Sequence, residues 1–279
     1  MLFAGICRSH QFSPNHIGND RAVFELTASH LRQMGHQVNE YCEDDCLKGM
    51  SERYIFTMAR EPQVVRMLQT LEDDGVRVVN SGYGIENCNR SNMIRLLDEN
   101  AILLPDNIIV NTRAPDTAPF HHLAPCWVKR GDFHAIHKED VSFARNMDEV
   151  CNILAEYSRR GIETAVLSKH IVGDLVKFYG VRGTDFFFHF YPEEYQHSKF
   201  GNESINGKTE RYPVHIDELK SIATQAANVL HVDIYGGDAI ITPDGTIYLI
   251  DMNDWPSFAP CREQAAPVIA QRICQLSNQ

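Results

Sequence analysis

Long apolar runs are missing from this 279-residue chain: no stretch approaches the roughly 18 to 20 residues of a membrane span. An excess of positive charge is missing too. The formal net charge of -11 argues against a general nucleic-acid binder, because phosphate backbones attract basic surfaces. A local basic pocket is still allowed. The eight cysteines include no CxxC pair, so zinc-ribbon and dithiol motifs are excluded, and a chain this long needs no disulfide staples. No GxxxxGK[ST] loop occurs, and Gly82-Tyr83-Gly84-Ile85 lacks the third glycine of a dinucleotide fingerprint. A nucleotide, if one binds, must be held by other parts. The apolar start, Met1 to Ile6, has no basic segment before it, so no signal peptide is expected and the cytoplasm is the default location.

What is present is ordinary globular composition, 43% hydrophobic and 23% charged. The first 80 residues alternate short apolar runs with helical spacing: strand 2–7, helix 20–34, strands 37–41 and 54–58, helix 62–71, strand 76–79. This βαβαβ rhythm predicts a small open parallel sheet. Such sheets bind ligands beyond the carboxyl ends of their strands, which points to Arg60, Asn80 and Ser81. A helix from about Ser91 to Asn100 leads into strands near 127–130 and 134–136, a helix 147–159 and a strand 164–168, an α+β lobe. The polar stretch Glu193–Arg211 is the best candidate for a mobile loop. A helix 217–230, with Asp217 as its N-cap, and a closing helix near 264–276 complete the pattern.

Between those last two helices lies the most informative segment, Asp238-Ala-Ile-Ile-Thr-Pro-Asp-Gly-Thr-Ile-Tyr-Leu-Ile-Asp251-Met-Asn253. Two apolar runs flank Pro243-Asp244-Gly245, so it reads as a hairpin. An even loop sets Ile241 against Tyr248, Ile240 against Leu249 and Asp238 against Asp251, with Asn253 on the same face. A three-residue loop with a bulge at Gly245 moves Asp238 against Ile250 instead. Opposed carboxylates repel unless a hard cation lies between them, and Mg²⁺ takes such oxygens together with phosphates. Solvated acids on a surface hairpin are the plain alternative. Asp233 is too far from Asp251 along the chain to replace Asp238, and Asp254 points to the opposite face.

In order along the chain, Val128-Lys129, Leu167-Ser168-Lys169-His170-Ile171-Val172-Gly173-Asp174, Lys177, Asp238 and Leu249-Ile-Asp251-Met-Asn253-Asp-Trp-Pro256 resemble the motifs of the ATP-grasp superfamily. The resemblance favours the even-loop register. It implies an α/β and α+β architecture, an ATP-grasp fold behind an N-terminal preATP-grasp open parallel sheet, divided as 1–89, 90–168 (first lobe) and 169–279 (second lobe with the hairpin). It implies Mg-ATP as cofactor, with two Mg²⁺ ions, or Mn²⁺, on Asp238, Asp251 and Asn253. Lys129 meets the α/β phosphates, and Lys177 is the catalytic cation at the terminal phosphate. The hinge backbone around Lys169, His170 and Ile171 meets adenine, and Asp174 the ribose. Only one glycine, Gly131, stands in the loop after Lys129, where Arg130 and His134 are candidate phosphate contacts. The implied activity is that of an ATP-dependent ligase joining a small-molecule carboxylate, as an acyl phosphate, to an amine. A homodimer is open; nucleic-acid and membrane partners are not expected. Val176–Val181 and Ile250–Pro256 also resemble inositol polyphosphate kinases of this fold, for which Lys138, Arg182, Lys199, Lys208 and Arg211 are the available cations. A nucleotide-binding module without turnover is the third reading: peptide-forming ligases of the D-alanine type carry an arginine where Gly236 stands.

Overall fold

The computed structural model describes residues 1–13, 17–116, 118–195 and 205–278. The N-terminal part is β1 (Leu2–Cys7), α1 (Ile17–Gln33), β2 (Gln37–Cys42), the single turn α2 (Glu43–Cys46), β3 (Tyr54–Thr57), α3 (Pro62–Asp73), β4 (Arg77–Val79) and α4 (Gly82–Asn87). Its strands pair in parallel, in the order β2-β1-β3-β4. Gly35 and Gly75, both at positive φ, follow α1 and α3, and Pro62 opens α3. The open parallel sheet expected from the alternating pattern is therefore present.

Next come α5 (Arg90–Glu99), β5 (Asn107–Asn111), β6 (Cys126–Arg130), β7 (Val141–Ala144), α6 (Met147–Arg159) and β8 (Thr164–Lys169). The four strands form an antiparallel sheet, β5-β8-β6-β7. Val150, Leu154 and Tyr157 of α6 pack onto Val128 and Leu167 of its face. Strand β5 was not expected from sequence; it is five residues long and follows Pro105. Helix α5, expected with this lobe, turns its Met93 and Leu97 into a different core, shared with Val176, Leu219 and Ala223.

That core belongs to the third sheet: β9 (Asp174–Val181), β10 (Phe187–Phe190), the turn α7 (Pro192–Tyr195), α8 (Ile216–Leu230), β11 (Ile234–Ile241), β12 (Ile247–Asp254) and α9 (Arg262–Ser277). The strands run antiparallel in the order β10-β9-β11-β12. Helix α8 starts one residue before the expected cap: His215 holds the N-cap position, while Asp217 and Glu218 sit in the first turn, where the helix dipole favours acids. Part of the expected mobile loop, 196–204, lies outside the described residues. Among the described residues no helix is long and apolar enough to cross a membrane.

The first and third sheets share one core. Phe3, Val23 and Phe24 pack in the same cluster as Tyr179, Trp255, Phe258, Ile269 and Ile273, so α9 is common to both. Asn80 fastens them from the other end. Fully buried, it donates to Ile234 O (2.7 Å) and accepts from Asp233 N (2.9 Å) and Ile234 N (2.8 Å). It is a joint rather than the ligand contact expected from its place after β4, and Ser81 instead caps α4. Asn80→Ala leaves two buried backbone N–H groups, of Asp233 and Ile234, without their partner, while Ile234 O keeps its bond from Trp255 N, so chemical denaturation should show a loss on the order of 3 kcal/mol. An unchanged midpoint would contradict this reading of the joint.

The hairpin combines both registers considered above. At its tip Gly245 N donates to Thr242 O (2.9 Å) with Gly245 at φ 84°, and Ile241 faces Ile247, Ile240 faces Tyr248 and Ala239 faces Leu249. That is the three-residue loop, and it corrects the even-loop pairing near the turn. A register shift between Asp238 and Ala239 then leaves Ile250 as the extra residue and restores Asp238 opposite Asp251. The bulge is what aligns the acids.

Candidate active site

One cavity opens where the three sheets meet. The third sheet forms its floor, and strand alternation sets what the floor presents. Lys177, Asp238 and Asp251 are register partners across β9, β11 and β12, a charged row. Leu175 and Ile240 form the neighbouring apolar row, toward the β8–β9 connection with Ile171. On the other side of the charged row lies Tyr179–Gly236–Asn253. The second sheet contributes Trp127, Lys129, Val141 and Lys169, and the first contributes Arg8, Asp20 and Arg60 from beyond or beside its strands.

The charged row is held by cations. Lys177 Nζ lies 3.2 and 3.3 Å from the two Asp238 oxygens. Arg90, at the first position of α5, donates to Asp251 Oδ2 (3.3 Å) and to Arg130 O (2.9 Å). Burial works to raise the Asp251 carboxyl, but Arg90, Lys129 and His134 outweigh it and hold it below the ordinary range. Lys129 is only 8% exposed, and its Nζ donates to the carbonyl of the bulged Ile250 (3.2 Å). Burial and then Arg90 push its pKa down to about 8, against the opposing pull of Asp251 and Asp238.

A second buried network lies beside the first sheet. Arg8 pairs with Asp20 (3.0 Å), and Arg60 with Asp254 (3.1 Å). His134 Nε2 also lies 3.1 Å from Asp254. Burial and Arg60 push His134 down to about 4, so it is neutral near pH 7. Burial opposes ionisation of Asp254, but Arg60, His134 and Arg8 hold its carboxyl well below the usual range.

Lys129, Lys169, Ile171, Lys177, Asp238, Asp251 and Asn253 all line the cavity. Two other residues do not. Both Asp174 oxygens accept backbone N–H groups, from Glu210 and Tyr212 (2.7 Å each), and the residue is 2% exposed, so its carboxylate anchors residues 210–212 instead of facing a ribose. His170 lies behind the wall, where its Nδ1 is bonded to Trp127 Nε1 (3.2 Å) and its backbone N–H to Pro125 O (3.1 Å). Arg130 pairs with Asp132, and Asp233 with Arg182 and Arg272, away from the cavity. Arg90 was missed from sequence. Its signal was there: it shares the buried stripe of α5 with Met93 and Leu97, three and seven positions on.

No protein-family model matches the chain, and no curated protein does. Solved structures do. A D-alanine–D-alanine ligase from Bacillus anthracis in complex with ATP superposes with a TM-score of 0.70 at 14% identity, covering 99% of this chain and 95% of that one. D-alanyl-alanine synthetase A from Vibrio cholerae gives 0.72 at 11% identity, over 100% and 98%. The ATP-grasp ligase PsnB, with a minimal precursor, Mg and ADP, gives 0.65 at 12%, over 99% and 98%. At these identities the likeness is one of architecture: the chain has the fold of the ATP-grasp superfamily.

Proposed function

We propose that the protein is an ATP-dependent ligase that activates a small-molecule carboxylate as an acyl phosphate for attack by an amine. The observation that carries this reading is the row Lys177–Asp238–Asp251 across adjacent strands, faced by Lys129. The matched structures named above are ligases, two of them with adenine nucleotides bound. The donor set suits Mg²⁺. Asp238, Asp251 and Asn253 offer only hard oxygens, and among the described residues no three His, Cys, Asp or Glu side chains gather. A cation here needs phosphate oxygens to complete its shell, the usual arrangement for Mg²⁺. When bound, Mg²⁺, as two ions in the fullest version, neutralises charge on the transferring phosphoryl group.

The chain's own residues position and balance charge. Lys129, Lys177 and Arg90 hold the phosphate chain, the apolar row with Ile171 and Trp127 encloses the base, and Lys169 and Ile171 offer backbone groups to its edge. Lys177 follows the terminal phosphoryl group as charge develops on it. The kinase alternative needs converging cations for a highly phosphorylated substrate. Lys138, Arg182, Lys208 and Arg211 do not line the cavity, Arg182 is taken by Asp233 and Arg211 by Glu194, and Lys199 lies outside the described residues.

The test is a screen of amino acids and small carboxylates for ADP release with Mg-ATP, followed by carboxylate labelling with ¹⁸O. An acyl phosphate route moves one labelled oxygen into inorganic phosphate and yields an amide. A phosphate ester as product would replace this reading with the kinase.

A further inference from the structure

We propose that the Tyr179 hydroxyl binds the reacting carboxyl group of the acceptor, in a subsite built on the row Tyr179–Gly236–Asn253. The inference rests on the ligase reading and names where its substrate reacts. Tyr179 is 6% exposed, lines the cavity, and has no hydrogen-bond partner for its hydroxyl among the described residues. The ring is buried while the hydroxyl oxygen stays accessible, so a group entering the cavity can reach it. The ring is set rigidly, 5.0 Å from the Phe258 ring and 5.6 Å from that of Phe190. Its cross-strand partner is Gly236, where an added Cβ would come 2.6 Å from Tyr179 Cδ1 and 2.8 Å from Pro256 Cγ. Glycine at 236 therefore makes the space in which the ring lies.

The position suits the chemistry. Tyr179 stands two residues along β9 from Lys177, about 7 Å away on the same face. A carboxylate bound there sits next to the terminal phosphate. Its oxygen attacks the γ-phosphorus as the bond to ADP breaks, and the electron pair leaves on ADP. The amine then adds to the acyl carbon. The resulting oxyanion accepts the phenol hydrogen bond until phosphate departs with its electron pair and the nitrogen gives its proton to water. Tyr179 donates throughout without losing its proton. Burial, then Asp238, Cys261 and Asp20, all push its ionisation upward. Ser257, 7% exposed, is a second hydroxyl in the cavity. The nearby cations Arg8 and Arg60 already pair with Asp20 and Asp254. This end fits one carboxylate better than a cluster of phosphates.

Tyr179→Phe tests the idea, with the probe a mixture of the twenty protein amino acids plus acetate and succinate, in Mg-ATP. The expected result is a kcat for ADP release about 30-fold lower, with KM for ATP and melting temperature unchanged, because the ring contacts remain. Gly236→Ala should lower kcat similarly by displacing the ring. An active wild type with Tyr179→Phe at the same rate overturns the inference and leaves the ligase reading standing. Loss of nucleotide affinity and melting temperature together in Tyr179→Phe assigns a packing role and also overturns it. A wild type that releases no ADP with the mixture ends both.

Discussion

Asp251→Asn should abolish turnover, lowering Mg-dependent ADP release by ~10³-fold or more. The substitution keeps size and one oxygen acceptor but removes a charge used three ways. Asp251 is one of the paired acids at the bulge, it holds Arg90 at 3.3 Å, and it helps keep Lys129 protonated. Without it a divalent cation held as proposed would lose half its anionic protein ligands, and Lys129, already near pKa 8, would move further toward the neutral form. Stability should change by about 1 kcal/mol at most, since the carboxylate is partly solvated at 24% exposure. ADP release and thermal melting measured on one preparation check both halves. Turnover at the wild-type rate would remove Asp251 from the site.

Lys129→Met should weaken Mg-ATP binding about 10²-fold, because the ammonium proposed to meet the phosphates is replaced by an apolar chain. The same change should stabilise the unliganded protein near pH 7. Methionine fills similar volume without the cost of burying a charge. A pH series separates this from general repair. The folded pKa of about 8 lies below the unfolded value of roughly 10.4, so between these pH values the unfolded chain holds more protons. Stability from this group therefore rises with pH across that window and is lowest below it. Lys129→Met should flatten that rise. Wild-type affinity in a nucleotide titration would sink the phosphate role, and an unaltered pH slope the burial argument.

How much of this was readable beforehand depended on whether the deciding contact was local. The parallel sheet followed from alternating apolar runs with Gly35 and Gly75 as stops. Asp238 and Asp251 could be paired because both lie on one hairpin. The tip register could not, since loop length and bulge trade one residue against the other and both versions keep the apolar face. Asp174 sits in a segment shaped like a hinge motif, but its fate is decided by Glu210 and Tyr212, dozens of residues away. Helix α5 announced an apolar stripe without saying which sheet it covers. Asp254 was placed on the far side of its strand, yet its partners Arg8, Arg60 and His134 come from two other sheets and no spacing rule joins them.

Helix α9 belongs to the cores of both the first and third sheets, while the second sheet keeps a core of its own. The first and third sheets thus form a base with a shared core, and the second is the leaf that a domain motion would carry. Among the described residues, the contacts it would surrender include Lys129 to Ile250, Arg90 to Arg130, the Ser91 backbone and hydroxyl to Gly131, and the approach of His134 to Asp254. Lys129, Ile250, Arg90 and His134 line the cavity proposed to hold the phosphates. Admitting a nucleotide and unlatching the leaf are in that case a single motion, and a triphosphate that reunites Lys129 with the base would serve as its own clasp.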